Sequence, residues 1–126
     1  MGIKLSICED QFTIHRLSPN TNIPGLIYES SFYSITMTGE ELSVVCPSSI
    51  SLDSERAEAG WACIKVIGPL DFTLTGILAN ISVVLAKEEI SIFALSTFDT
   101  DYTLVKTDKV KAARAALQNA GYIFMD

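Results

Sequence analysis

Residues 61–78 read WACIKVIGPLDFTLTGIL, and residues 90–106 read ISIFALSTFDTDYTLVK. In the first stretch a β-rich strand, Trp61–Ile67, runs into Gly68-Pro69-Leu70-Asp71, which opens a helix. Leu74, Ile77, Leu78, Ile81, Val84 and Leu85 recur at spacings that fall on one side of a helix of about 3.6 residues per turn. Asp71 or Thr73 is the expected cap, since either side chain can accept from the free N–H groups of a first turn. The second stretch predicts a strand over Ile90–Ser96, a turn through Thr97-Phe98-Asp99-Thr100, and a returning strand over Asp101–Lys106.

After it, Val110, Ala113, Ala116, Leu117 and Ala120 repeat the helical period. Thr107 or Asp108 is expected to cap that helix, Gly121 to end it, and a last short strand to follow. The order is β-α-β-β-α-β. Two helices with one apolar face each must cover the same side of a four-stranded sheet, and right-handed crossovers leave the ferredoxin-like α+β sandwich as the natural arrangement.

The first half is mostly β. Lys4–Cys8 predicts a strand, Glu9-Asp10-Gln11 a turn, and Phe12–Leu17 a returning strand. Ser18–Gly25 is loop, with one helical turn expected over Ile23–Tyr28. Ser31–Thr38 and Leu42–Cys46 form a hairpin around Gly39-Glu40-Glu41, and Ser48–Gly60 connects to the second half. The division expected is residues 1–58 as an abbreviated unit and residues 59–126 as the complete sandwich.

The whole chain has 126 residues, 48% of them hydrophobic, and a net charge of −6 from 15 acids and 9 bases. That composition supports a packed core. The charge disfavours nucleic acid, whose phosphates it would repel. No apolar run approaches the roughly 20 residues that cross a bilayer, and no basic start precedes an apolar segment, so no membrane partner is expected and a cytoplasmic location is. Cys8, Cys46 and Cys63 are widely spaced and read as reduced, largely buried thiols. The single histidine, His15, cannot build a metal site alone. With no nucleophile beside a base and no phosphate-cradling loop, an enzyme is not expected, nor is a cofactor. Phe72, Phe93 and Phe98 read as core.

The second half closely resembles an ACT domain, the regulatory amino-acid-binding module, through GPLDFTLTGIL (Gly68–Leu78), ISIFALSTFDTDYTLV (Ile90–Val105) and AALQNAGY (Ala115–Tyr122). More narrowly it is similar to small bacterial tandem ACT proteins related to the cytosolic arginine sensors. The first half resembles, through SSFYSIT and LSVVCP, the truncated ACT-like unit that precedes it there.

The residues by themselves point to a small zwitterion. Amides over Gly68–Thr73 at a helix start suit a carboxylate, Gly68 permits a close approach, and Pro69 stiffens the loop. Asp99 and Asp101 offer carboxylates to an ammonium or guanidinium, with hydroxyls from Ser91, Ser96 and Thr97 nearby. Each of these also has a plain structural reading: Gly68-Pro69 as a strand-to-helix turn, Asp71 as a cap, and Asp99 and Asp101 as β-turn residues. The resemblance implies a site joining the helix-opening loop of one ACT unit to the second strand of another. It places Gly68, Pro69, Leu70, Asp71, Phe72, Thr73, Leu74, Ser91, Ile92 and Asp101 around the ligand. Leu74 stands where an arginine sensor can place a carboxylate, which argues for a smaller or more apolar amino acid at least as strongly as for arginine. A homodimer and a separate, unidentified protein target are expected. The rival reading is a structural or protein-interaction module that uses the same fold to oligomerise without a ligand.

Overall fold

The computed structural model describes residues 2–68 and 76–126. Seven strands and two α-helices are present among them: β1 Lys4–Leu17, β2 Ser34–Met37, β3 Leu42–Pro47, β4 Arg56–Val66, α1 Ile77–Lys87, β5 Ile92–Ser96, β6 Asp101–Lys106, α2 Val110–Asn119 and β7 Ile123–Phe124. The chain forms two compact units, one of Met1–Glu9 with Ala62–Asp126 and one of Asp10–Trp61. The division read from the sequence fell after residue 58. In the structure the start of the chain belongs to the larger unit instead.

The larger unit is an α+β, ferredoxin-like sandwich. Its sheet runs β7, the start of β1, the end of β4, β6, β5. β5 and β6 are an antiparallel pair from Ile92↔Val105 to Ser96↔Asp101. The closing strand β7 does not reach β4: it pairs in parallel with β1, Lys4 against Ile123 and Leu5 against Phe124. The Ile67 N–H donates to the Lys4 carbonyl at 2.9 Å on the other side of β1. The first strand therefore completes the sheet of the second half, which no local sequence pattern announced.

Over that sheet the helices bury the middle of each expected stripe, while Ala120 at the end of the second is exposed. Ile81 and Leu85 of α1 and Ala113 and Leu117 of α2 are fully buried against Leu5, Ile64, Val66 and Val105. Ile77 and Val84 pack at the margin of the same cluster. Apolar burial on this scale, at about 25 cal/mol per Å² removed from water, is the main term holding helix to sheet. Helix α2 ends as expected at Gly121, φ +102. There the Gly121 N–H reaches the Gln118 carbonyl and the Tyr122 N–H the Leu117 carbonyl, each at 3.0 Å, the Schellman pattern that a left-handed residue permits. No side chain among the described residues caps its start; a 3-10 turn over Thr107–Lys109 leads in instead, so the caps expected at Thr107 or Asp108 are not made.

The smaller unit pairs β3 with both neighbours. β1 runs antiparallel to β3 from Phe12↔Pro47 to Leu17↔Leu42, and β2 from Ser34↔Val45 to Met37↔Leu42. A 3-10 turn, Gly25–Glu29, drops Ile27 into a core with Leu17, Leu42, Val44, Cys46 and Ile50. The turn expected at Glu9-Asp10-Gln11 is absent, and β1 is one strand of 14 residues. Those three residues include no glycine or proline to bend the backbone. Gln11 stays in the ladder direction, its carbonyl accepting from the Ser48 N–H at 2.9 Å. The connector Ser48–Gly60 is also more ordered than expected, because β4 begins at Arg56.

Candidate functional site

Strand β4 delivers the chain to Gly68, which is exposed. Pro69, Leu70, Asp71, Phe72, Thr73 and Leu74 lie outside the described residues. On the far side of that gap α1 starts at Ile77, later than the sequence suggested, with Gly76 as its N-cap at φ +83. Glycine takes this left-handed backbone without a Cβ penalty. The first helical bond runs from the Asn80 N–H to the Gly76 carbonyl at 2.8 Å, and no side chain among the described residues caps this end. The amides of Ile77, Leu78 and Ala79 thus have no acceptor within the helix, and the positive end of the helix dipole lies there.

The acidic turn is held at the same end of the sheet. Thr97 N–H donates to the Thr100 carbonyl at 2.8 Å, and Thr100 N–H returns a bond to Thr97 Oγ1 at 3.3 Å. The Thr100 hydroxyl, buried, donates to the Val66 carbonyl at 2.5 Å, two residues before Gly68. Ser96 Oγ donates to Asp101 Oδ1 at 2.6 Å across the β5–β6 pair. Asp99 at the tip is exposed and Asp101 half-buried. Further along β6, Thr103 is 1% exposed and its hydroxyl has no hydrogen-bond partner among the described residues.

Beside the first turn of α1, Ile3, Asn80, Ala120, Gly121 and Tyr122 line a cavity of about 230 Å³. The Tyr122 hydroxyl donates to Asn80 Oδ1 at 2.6 Å. Burial pushes the Tyr122 phenol upward from its ordinary value, so it remains a donor at neutral pH.

Of the residues read from the sequence, the structure thus gathers Gly68, Asp99 and Asp101 at one end of the larger unit. Ser91 and Ile92 are not with them. They lie at the opposite end of β5, where Ile92 faces Val105, about 13 Å along the strand from Ser96 at 3.3 Å per residue. Phe98, expected in the core, is 80% exposed, while Phe93 is half-buried. Sequence reasoning missed Gly76 and Thr100. The isolated glycine inside an otherwise helical stripe was the available signal for the first; the partner of Thr100 is 34 residues away, beyond local pattern. Among the described residues no group of three His, Cys, Asp or Glu side chains could hold a metal ion, and no helix is long and apolar enough to cross a membrane.

The larger unit is thus an α+β sandwich whose acidic β5–β6 turn is braced by the Thr100 hydroxyl to the strand leading into Gly68. Sequence comparison agrees: the ACT domain profile matches residues 56–119, and a second profile, described as an N-terminal domain, matches residues 10–51. This chain belongs to the ACT domain family. A crystal structure of an Agobacterium tumefaciens protein is similar to it with 38% identity and a TM-score of 0.89, covering 99% of this chain and 93% of that one. The regulatory subunit of aspartate kinase from Thermus thermophilus shares the fold, with 11% identity, a TM-score of 0.67 and coverage of 93% and 96%. The rat cytosolic arginine sensor for mTORC1 subunit 1 is 32% identical over 102 residues, 79% of this chain and 30% of the relative. The human counterpart is 35% identical over 88 residues, 69% of this chain and 26% of the relative. The chain thus spans under a third of the length of the curated relatives it matches.

Proposed function

We propose that this chain is a non-catalytic regulatory protein that binds an amino acid or similar small zwitterion and passes the signal to a separate protein in the cytoplasm. Residues 59–126, their sheet completed by the start of β1, act as the ACT domain, and the rest of residues 1–58 as its abbreviated companion. The observation that carries the reading is the Thr100–Val66 hydrogen bond, because it brings the carboxylates of Asp99 and Asp101 to the strand end that delivers Gly68. The ligand carboxylate is taken by main-chain amides among residues Gly68–Leu74 and at the start of α1. Its cationic group faces Asp101, with Asp99 raising the local negative potential. Membership of the ACT family and the likeness to a named arginine sensor support an amino acid as the ligand.

Ser91 and Ile92 enter the site from a second copy. β5 is the outermost strand of its unit, pairing only β6 among the described residues, and an open strand edge of this kind invites side-by-side pairing into a homodimer. The same edge favours the rival reading, oligomerisation without ligand.

Ligand response separates the two. A ligand that binds only the native state stabilises it by RT ln(1+[L]/Kd). Melting curves with each of the twenty amino acids at millimolar concentration should show at least one upward shift. Twenty flat curves would leave a scaffold.

A further inference from the structure

The larger unit holds a second piece of chemistry that amino-acid binding does not use. The Ile67 N–H bond to the Lys4 carbonyl at 2.9 Å sets the register of β1 against β4. Counting inward from that antiparallel pair, four residues along each strand, brings Cys8 opposite Cys63. Directly opposed residues of a hydrogen-bonded pair have Cα atoms about 5.5 Å apart, within the roughly 4.4–6.8 Å that a disulfide spans. The two thiols already meet in a side-chain hydrogen bond. Cys63 is fully buried, whereas Cys8 is partly open to solvent. That asymmetry gives the pair an entry sulfur and a resolving sulfur.

We propose that Cys8 and Cys63 form an oxidation site at which a hydroperoxide closes a reversible disulfide between β1 and β4. The Cys8 sulfur, as thiolate, attacks the outer peroxide oxygen. The O–O bond breaks, the alcohol or water leaves with the proton, and Cys8 becomes a sulfenic acid. Cys63 then gives up its proton and attacks the Cys8 sulfur. The S–S bond forms, the S–O bond breaks, and the departing hydroxide takes that proton as water. Two thiols lose two electrons in all, and one hydroperoxide is reduced to an alcohol and one water.

Hydrogen bonding to Cys8 and burial both push the Cys63 thiol well above its ordinary value, with the Lys65 ammonium opposing them weakly. Cys63 therefore stays a thiol until the sulfenic acid forms beside it. Cys46, buried in the smaller unit, is the internal control.

The test treats the reduced chain with a small excess of hydrogen peroxide and reads intact mass and a non-reducing peptide map. The expected result is loss of the mass of two hydrogens, one cross-linked peptide pair containing Cys8 and Cys63, and full reversal by dithiothreitol. Cys8→Ser should remove the cross-link, while Cys46→Ala should leave it. Any of three results would overturn the proposal: no mass change, Cys8 advancing to sulfinic or sulfonic acid without a cross-link, or a disulfide that uses Cys46 or joins two molecules.

Discussion

The Thr100 hydroxyl donates to the Val66 carbonyl at 2.5 Å, in a buried position and across 34 residues of chain. It binds the tip of one hairpin to the strand that leads into Gly68, so the acidic turn and Gly68 share one end of the sheet. Thr100→Val keeps the shape and removes the donor. Leaving the Val66 carbonyl without that donor should cost about 1–3 kcal/mol, read by urea unfolding, and should weaken amino-acid binding in parallel. A variant of unchanged stability would mean that the turn is held by other contacts.

Ile81 is fully buried beneath α1, against both the sheet and α2. An aspartate there would bury a carboxylate with no partner, a cost large enough to exceed the stability of an ordinary small domain. Ile81→Asp should be unfolded by circular dichroism under any functional reading. A folded, soluble variant would contradict the helix face described above.

Helix α1 ends on a residue that is not glycine. Glu89 takes φ +59 so that its N–H can reach the Ala86 carbonyl at 2.9 Å and the Ile90 N–H the Leu85 carbonyl at 3.1 Å. A left-handed backbone costs an ordinary residue about 1–2 kcal/mol, partly offset by the greater chain freedom glycine loses on folding. Glu89→Gly should therefore stabilise by up to about 1 kcal/mol and raise the melting temperature by a few degrees. A lower Tm would show that the glutamate side chain supplies more than its backbone costs.

His15 makes stability depend on pH. Nδ1 meets Ser54 Oγ at 2.8 Å, Nε2 is buried without a partner among the described residues, and burial lowers the pKa from its ordinary 6.5. The folded state prefers the neutral ring, so its contribution is complete above the unfolded value and is lost as pH falls below it. Melting temperature should drop on going from pH about 7 to about 5.5, and His15→Asn, which keeps a partner for Ser54, should drop less. Equal drops in the two proteins would remove His15 from the account.

Much of this was legible in the chain because the signals were local. The 3.6-residue stripe of α1 and α2, the TFDT turn (Thr97–Thr100) between β5 and β6, and Gly121 at the end of α2 each report on their own neighbourhood. What escaped was long-range. The strand start Lys4–Leu5 looks like half of a hairpin until its partners, Ile123 and Phe124, are known. Glu9, Asp10 and Gln11 are polar enough to suggest a turn, yet the ladder on either side holds them extended. Phe98 is apolar enough to suggest core, but it occupies a turn tip and is largely exposed. For the candidate site, residue types and approximate place were readable, whereas the brace through Thr100 and the separation of Ser91 and Ile92 from Asp101 needed the sheet.

Calorimetric titration of the wild-type chain and of Asp101→Asn, with whichever amino acid raises the melting temperature most, tests the role of Asp101 directly. A charge-assisted bond between Asp101 and the ligand's cationic group predicts that the variant, still folded, binds more weakly by about 1.5–3 kcal/mol, a loss of roughly ten- to hundredfold. Equal affinity in the two proteins would contradict the central claim and reduce Asp101 to a residue of the β5–β6 turn.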